Sequence, residues 1–404
     1  MDIQAISEHS VSNEILCHIT STMSDRAATE VKFNDLLETY RKEVLPLCYV
    51  GYDTFSEEEK FRLEKLHNFF CGLHALVNYA EATSKSLKES EKQMFDGNTP
   101  THDTGYKSDE SGVCRLVRTA TKCFGEGSGG DEKSGCQGPF RTYIGNFLTE
   151  KKLNSKAFMG SRFSILFSNA ASVFFLHEQM IAFLENVGCT NKLQKSILFD
   201  LKIPEFIAGT KALALICKFI TSPLWCVLED KSVSLSDMNE KYLAVVNYME
   251  DASANVDQFM SGNLILFKEH VQKDSIYEAL LVPKDYDGIC EVFLRVILGT
   301  LSQLARKLYK EHLPGGNLAS VDPDVTKGNP KTSSFAESVF GQLDQILRTK
   351  PNITTLAAES YIMFLNKKNN AVAEFKGGNG EKIFDSESFI SDSEVQNNIQ
   401  RKTS

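Results

Sequence analysis

The sequence predicts a mainly helical protein, and its hydrophobic periodicity is the main reason. From Gly160 onward apolar residues recur at the spacing of a helix face, which predicts helices near 161–187, 190–201, 204–230, 235–252, 255–273 and 287–312. Two shorter helices are predicted near 333–348 and 353–367, and prolines separate many of these segments. A single short apolar run, Ile15–Thr20, has the composition and length of a strand.

Two more helices are predicted in the N-terminal part of the chain. The first follows Ser24 and Asp25. The second begins at Ser56, where Glu59 completes a capping box, and its apolar residues continue as one helix to Ala80. Polar and glycine-rich stretches after about residue 93 predict a flexible connection between this part and the helices that follow.

Size and charge limit the classes of function. A chain of 404 residues is long enough for two or three domains. Its net charge of −9 disfavours sequence-independent binding of phosphates, which requires clustered lysines and arginines. Arg115, Arg118 and Lys122 recur at near-helical spacing and form the local basic candidate, although a solvated helix face explains them more simply.

The sequence predicts a nuclear or cytoplasmic protein that is neither secreted nor in a membrane. No basic segment followed by an apolar run marks a signal peptide at the N-terminus. The most apolar stretch, 206–228, contains Lys211, Lys218 and Pro223, so a buried helix explains it better than a membrane span. The ten cysteines are scattered without paired spacing, which indicates reduced thiols.

The glycine-rich segment 129–135 superficially resembles a phosphate-binding loop. In that loop a glycine directly precedes the Lys-Ser pair, whereas Glu132 precedes Lys133 and Ser134 here. Asp131 and Glu132 would also repel phosphate. We therefore expect no nucleotide cofactor.

A zinc site is a less favoured alternative. His67, Cys71 and His74 have i, i+4, i+7 spacing and would share one face of a helix. Structural zinc requires four ligands, and the candidates for the rest, Cys114, Cys123 and Cys136, are loosely spaced. Local packing of these cysteine and histidine side chains is the simpler explanation.

Asp25 and Glu337 each allow two interpretations. Asp25 follows the predicted strand and precedes a helix, so it can be a helix N-cap, while Glu337 can be a glutamate of a first helical turn. Both can instead be ligands of a catalytic divalent ion, because hard ions are bound by carboxylate oxygens. Local sequence alone favours the capping roles.

Five segments, taken in order, resemble motifs of hAT-superfamily DNA transposases, the third and fourth those of the inserted helical domain and the others those of the ribonuclease-H-like core. They are Ser24–Ala28, Asn68–Asn78, Ser161–Ser164, Leu235–Met238 and Phe335–Phe340. The chain is also similar to transposon-related proteins of invertebrates and fish. The resemblance implies that Asp25 corresponds to the second catalytic aspartate and Glu337 to the last catalytic glutamate, while Cys71, His74 and Arg162 are motif residues with structural roles.

The resemblance also implies a fold: a helical domain inserted in a truncated ribonuclease-H-like α/β core. The expected parts are a core segment, a flexible glycine-rich connection, the helical insertion, C-terminal core helices and a disordered tail, at 1–92, 93–160, 161–313, 314–376 and 377–404.

The sequence departs from the family pattern at Phe163, Arg26 and Ser338, and no first catalytic aspartate precedes Asp25. We therefore expect a catalytically inactive remnant or a co-opted nucleic-acid- or protein-binding module. No cofactor is expected, with Mg²⁺ or Mn²⁺ only if the core is complete; DNA and a second copy of the chain are the implied partners. The alternative is a helical interaction scaffold without a nucleic-acid role, in which Asp25 and Glu337 are only caps.

Overall fold

The computed structural model describes residues 3–103, 109–125, 133–145, 165–321, 323–326 and 328–377, and it is mainly helical, as predicted. The chain divides into two compact units, Met1–Ser333 and Ser334–Ser404. The motif residue Arg162, residues 126–132 of the glycine-rich segment and residues 378–404 of the predicted tail lie outside the described residues.

The first unit begins with two short parallel strands and four helices. In chain order these elements are α1 (Ile3–His18), β1 (Ser21–Ser24), α2 (Ala28–Cys48), α3 (Glu57–Glu64), β2 (His67–Phe70) and α4 (Gly72–Met94). Ser21 pairs with His67 and Ser24 with Phe70, and this two-stranded sheet is the only sheet in the described part of the chain. Both strands therefore end at the same edge of the sheet.

The structure corrects two predicted elements here. The strand predicted at Ile15–Thr20 is wrong, because its first residues form the end of α1, where Leu16 and Cys17 pack in a small core with Leu45 of α2. The single helix predicted from Ser56 to Ala80 is also wrong, since β2 interrupts it. The capping box at Ser56 is confirmed. The backbone N–H of His67, at the start of β2, donates to the carbonyl of Thr20 at 3.0 Å, a strand contact that a continuous helix would not make.

The remaining helices of the first unit include those predicted from residue 161 onward, in the predicted order, and several that the sequence does not predict. They are α5 (Gly112–Phe124), α6 (Gln137–Gly145), α7 (Ile165–Val187), α8 (Lys192–Leu201), α9 (Pro204–Ile216), α10 (Ser222–Glu229), α11 (Met238–Ala254), α12 (Val256–Met260), α13 (Ser275–Leu281), α14 (Asp287–Leu308) and α15 (Pro323–Thr326). The helix expected over 255–273 ends early, at Met260, where Gly262 takes a left-handed conformation with φ of +71°.

Helices α5 and α6 lie within the span 93–160, for which the sequence predicts a flexible connection. Helix α5 is almost wholly buried, and the buried carboxylate of Glu91 accepts hydrogen bonds from the first amides of this helix, those of Gly112 and Val113. These bonds satisfy amides that have no partner within the helix. Tertiary packing thus orders a segment whose flanking glycines suggest a loop.

Helix α9 lies at the centre of the helical core. Every residue from Phe206 to Ile216 is buried, and the helix packs against α5, α7 and α14. By length and composition alone, Pro204–Glu229 and Asp287–Leu308 could cross a membrane; 72% and 44% of their most apolar windows are buried within this fold.

The second unit contains the two helices predicted near its start, α16 (Ser334–Thr349) and α17 (Thr355–Gly377). They pack together through Ile346, Ala358 and Ile362. The unit begins at Ser334, twenty residues after the predicted boundary at 314, because the segment before it packs within the first unit.

Candidate functional site

The strand pair brings two predicted motifs together. Asp25 directly follows β1, and Cys71 and His74 follow β2. The Asp25 Oδ2 atom lies 4.0 Å from His74 Nε2, and the two side chains are 42% and 18% exposed. Because parallel strands end at the same edge, residues that follow them meet although a whole helical crossover separates them in sequence.

Asp25 does not cap helix α2. Its Oδ1 atom accepts the backbone N–H of Ala27 at 2.8 Å, which is the pattern of an Asx turn. Ala27 is the N-cap residue of α2 and makes no side-chain cap. One carboxylate oxygen of Asp25 therefore fixes the turn, while the other faces His74.

Arg26 occupies the left-handed backbone region, with φ of 67°. Its guanidinium lies 4.0 Å from the centre of the Phe70 ring and donates to the carbonyl of Leu308 at 2.9 Å. Burial lowers the pKa of Arg26, and the Glu311 carboxylate opposes that shift. Such backbone strain costs about 1–3 kcal/mol, and these contacts hold the residue in place.

Cys71 and Gly72 bind a distant segment of the first unit. The backbone N–H of Ser333 donates to the Cys71 sulfur at 3.2 Å, and the N–H of Gly72 donates to the carbonyl of Lys331 at 3.1 Å. A Cβ atom at Gly72 would lie 2.3 Å from a methyl group of Leu228, so a larger residue would require that side chain to move. The Cys71 thiol is thus committed to a structural contact.

Buried aromatic residues form the back of the pocket. The rings of Tyr242 and Tyr309 stack with centroids 4.1 Å apart, and the Tyr79 hydroxyl donates to that of Tyr309 at 2.9 Å. Burial raises the pKa of all three phenols, so they stay neutral.

His312 lies beside Tyr242 in the same wall of the pocket, and its imidazole is neutral. Burial, together with the charge of Arg26, lowers the pKa of His312 to about 4. Its Nδ1 atom lies 2.7 Å from the Asn239 Oδ1 atom, while the Asn239 amide nitrogen donates to the carbonyl of Leu318. This network assigns the proton to Nδ1 and leaves Nε2 as an acceptor.

The pocket enclosed by these residues is small. Its volume of about 30 Å³ suits a water molecule or an ion. Asp25 supplies a single carboxylate, and His74, which faces it at 4.0 Å, supplies nitrogen, whereas Mg²⁺ prefers an octahedron of oxygen ligands. Within the described ranges, no three His, Cys, Asp or Glu side chains are grouped to hold a metal ion, so these residues fit neither Mg²⁺ nor the zinc alternative.

A groove beside the pocket is cationic. It is lined by Arg26, Lys307, Lys310, Glu311, Val31 and Phe70. Lys307 and Lys310 are exposed. Three cations against one carboxylate make this a local positive region on a chain with a net charge of −9.

The structure brings Asp25, Cys71 and His74 into one pocket. Glu337 lies in the first turn of α16, in the second unit, and is half-buried there. His67 lies on strand β2 and not on the helix face that the zinc alternative requires. The sequence does not indicate Tyr242, Tyr309 and His312, since no motif marks them. They reach this pocket through the packing of α11 against α14 and of α14 against α4.

Only part of the predicted basic candidate lies at the surface, since Arg118 and Lys122 are exposed and Arg115 is not. Arg115 is buried and forms a bidentate ion pair with Asp200, at 2.9 and 2.8 Å. Arg118 pairs with Glu110. The groove with Lys307 and Lys310 is a second region with exposed positive charge.

Comparison with known proteins assigns no family to the chain. A scan against models of protein families finds no match, and searches of curated proteins and of solved structures also find none. The hAT resemblance therefore depends on the sequence motifs alone.

Proposed function

We propose that this chain is a transposase-derived protein that binds nucleic acid at the groove beside the Asp25–His74 pocket and does not cut it. One observation carries the proposal. The two segments that resemble neighbouring hAT motifs lie side by side, each directly after one of two parallel strands, with 4.0 Å between Asp25 and His74. A ribonuclease-H-like core would require this juxtaposition, and two unrelated helix caps would not.

The helical region supports the same proposal. In the resemblance, a helical domain is inserted in the core after the Cys-x-x-His segment. Here the helices from α5 to α14 follow that segment and build one continuous core around α9. The chain then returns to the strand edge, where Ser333 contacts Cys71.

The donor atoms of the pocket favour binding over cleavage. Two-metal hydrolysis requires carboxylates that hold two ions about 3.5–4 Å apart. The imidazole of His74 faces Asp25, and the Cys71 sulfur already accepts a backbone N–H. We therefore derive no catalytic step for this pocket.

The cationic groove supplies the binding chemistry. Lysines and arginines neutralise phosphates and release counterions, so affinity falls steeply with salt. Arg26 is held by Phe70 and Leu308, whereas the exposed ammonium groups of Lys307 and Lys310 can reach a phosphate backbone. Binding is accordingly expected to depend mainly on the two lysines.

Fluorescence anisotropy with labelled mixed-sequence DNA tests this assignment. The double variant Lys307→Glu/Lys310→Glu is expected to bind about tenfold more weakly or worse, and its salt slope should fall by about 2. The matched control is Lys268→Glu/Lys273→Glu, which changes the charge equally at exposed positions outside the groove. Equal loss in both variants, or no binding by the wild type at low salt, would refute the proposed site.

A plasmid-nicking assay in Mg²⁺ and in Mn²⁺ tests the absence of cleavage. Wild type and Asp25→Asn are expected to leave supercoiled DNA equally intact. Asparagine keeps the oxygen that accepts the Ala27 N–H and removes only the charge. Robust nicking by the wild type that the Asp25→Asn variant loses would show an active nuclease.

A helical interaction scaffold is the second candidate, and the second unit favours it. Several of its large apolar side chains are more than 60% exposed: Phe335, Phe340, Leu356, Met363 and Phe364. Exposed apolar groups of this size mark protein contacts when they are contiguous. Light scattering after gel filtration should show a dimer that Phe335→Asp/Phe340→Asp dissociates and that Leu47→Asp, an exposed site in the first unit, does not.

A further inference from the structure

Two of the ten free cysteines lie against each other. Cys123 lies in the last turn of α5, and Cys136 directly precedes α6. Their sulfur atoms are 3.2 Å apart. The sequence suggests no such pair, because their spacing matches no recognised pattern.

The backbone geometry suits a disulfide. The N–H of Cys136 donates to the carbonyl of Cys123 at 2.8 Å. Standard bond lengths then limit the two Cα atoms to at most about 7 Å apart. Disulfides join Cα atoms within about 4.4–6.8 Å, so closing the bond requires only a small approach of the two sulfur atoms.

Aromatic packing holds the two cysteines in place. The ring of Phe124, next to Cys123, lies 4.5 Å from that of Phe140, in the first turn of α6, and Phe140 also contacts Phe183 at 5.3 Å. Cys123 is fully buried and Cys136 is 8% exposed. The pair is therefore preorganised, and Cys136 is the thiol that a small oxidant reaches first.

We propose that Cys123 and Cys136 form a reversible intramolecular disulfide when the chain meets a peroxide. The Cys136 thiolate attacks one peroxide oxygen, and the O–O bond breaks to give a sulfenic acid and one water. The Cys123 thiol then attacks the Cys136 sulfur, and the hydroxyl leaves as a second water. Two thiols lose two electrons and two protons, and one peroxide is reduced. A dithiol reductant reverses the step. This inference is independent of nucleic-acid binding.

The ionisation of the pair agrees with the first step, in which Cys136 is the nucleophile. The hydrogen bond from Cys123 lowers the pKa of the Cys136 thiol, and the same contact together with burial raises the pKa of Cys123. The thiolate is the nucleophilic form of cysteine. A metal site would need further ligands, and the part of the chain with described coordinates has no group of three metal-binding side chains.

Peptide mapping by mass spectrometry tests the assignment on the full-length protein. After hydrogen peroxide treatment, alkylation and digestion without reductant, a cross-linked peptide pair containing Cys123 and Cys136 is expected, two hydrogen masses lighter than the separate peptides. Thiol titration in denaturant should find two fewer of the ten thiols.

Matched variants complete the experiment. Cys123→Ser and Cys136→Ser should each lose the cross-link, while Cys226→Ser, a partly exposed cysteine elsewhere, should keep it. Oxidation should raise the melting temperature of wild type and Cys226→Ser by several degrees, because the closed loop restricts the unfolded chain. A wild-type map in which this pair stays reduced while Cys48, Cys189 or Cys226 is oxidised or cross-linked would overturn the proposal, whether or not the variants fold.

Discussion

The helical core around α9 and the Asp25 pocket differ in the charge of their buried polar side chains. In the core the buried ions are paired: Arg115 with Asp200, and Lys211 with Asp287 at 2.5 Å. In the pocket, burial keeps the phenols and His312 neutral. The core therefore depends on paired charges, whereas the pocket places the partly exposed carboxylate of Asp25 and the guanidinium of Arg26 beside a wall of neutral aromatic side chains.

The largest expected effect tests the core side of this comparison. Arg115→Met leaves the carboxylate of Asp200 buried without its partner, and the free energy of unfolding should fall by about 3–5 kcal/mol in urea titration. Arg295→Met removes an exposed pair with Glu291 and should cost at most about 1 kcal/mol. Similar losses in the two variants would contradict the contrast between buried and exposed pairs.

The next effect tests the neutral wall of the pocket. The pKa of His312 is about 4 in the folded chain and about 6.5 when unfolded, so the unfolded state binds more protons between these values. The free energy of unfolding should therefore rise by about 3 kcal/mol from pH 4 to 6.5 and then level off. Urea titration across this range measures it.

A substitution isolates the contribution of His312. His312→Asn retains a donor toward Asn239 and should flatten the profile below pH 6.5, because it removes the titrating group. His270→Asn, at a more exposed histidine, is the matched control. Parallel profiles for wild type and His312→Asn would show that this wall does not depend on a neutral imidazole.

A smaller effect tests how closely the pocket packs. Gly72→Ala places a methyl group against Leu228 and the Tyr242 hydroxyl, at 2.3 and 2.7 Å, and should destabilise the fold by about 1–3 kcal/mol. Gly299→Ala, in α14 with nothing within 4 Å of the new methyl group, should stabilise it by about 0.5–1 kcal/mol. Thermal melting of both variants shows whether each substitution stabilises or destabilises the fold. An unchanged melting temperature for Gly72→Ala would indicate a pocket that relaxes easily.

The smallest expected effect concerns a helix cap, which depends only on local hydrogen bonds and lies outside both regions. Ser56→Ala removes the capping box of α3 and should cost about 1 kcal/mol. Thr39→Ala, on the exposed face of α2, should change stability by no more than about 0.5 kcal/mol. Denaturant titration of the two variants side by side checks this difference.

The sequence by itself determined the helical class, the buried helix α9, the capping box at Ser56 and the two helices of the second unit. Each follows from periodicity or hydrogen bonds within a few residues of chain. It also marked Asp25, Cys71 and His74 as one motif set, through resemblance. The sequence therefore predicted these three residues of the pocket, but it did not predict the wall formed by Tyr242, Tyr309 and His312.

Only the tertiary structure decided where the strands lie and what they bring together. Residues 21–24, Ser-Thr-Met-Ser, carry no strand signal, and their pairing with His67–Phe70 depends on a partner more than forty residues away. The meeting of Asp25 with His74, the aromatic wall and the contact of Cys123 with Cys136 are of the same kind. Such contacts form because the whole core packs at once, and no single segment contains the information that specifies them.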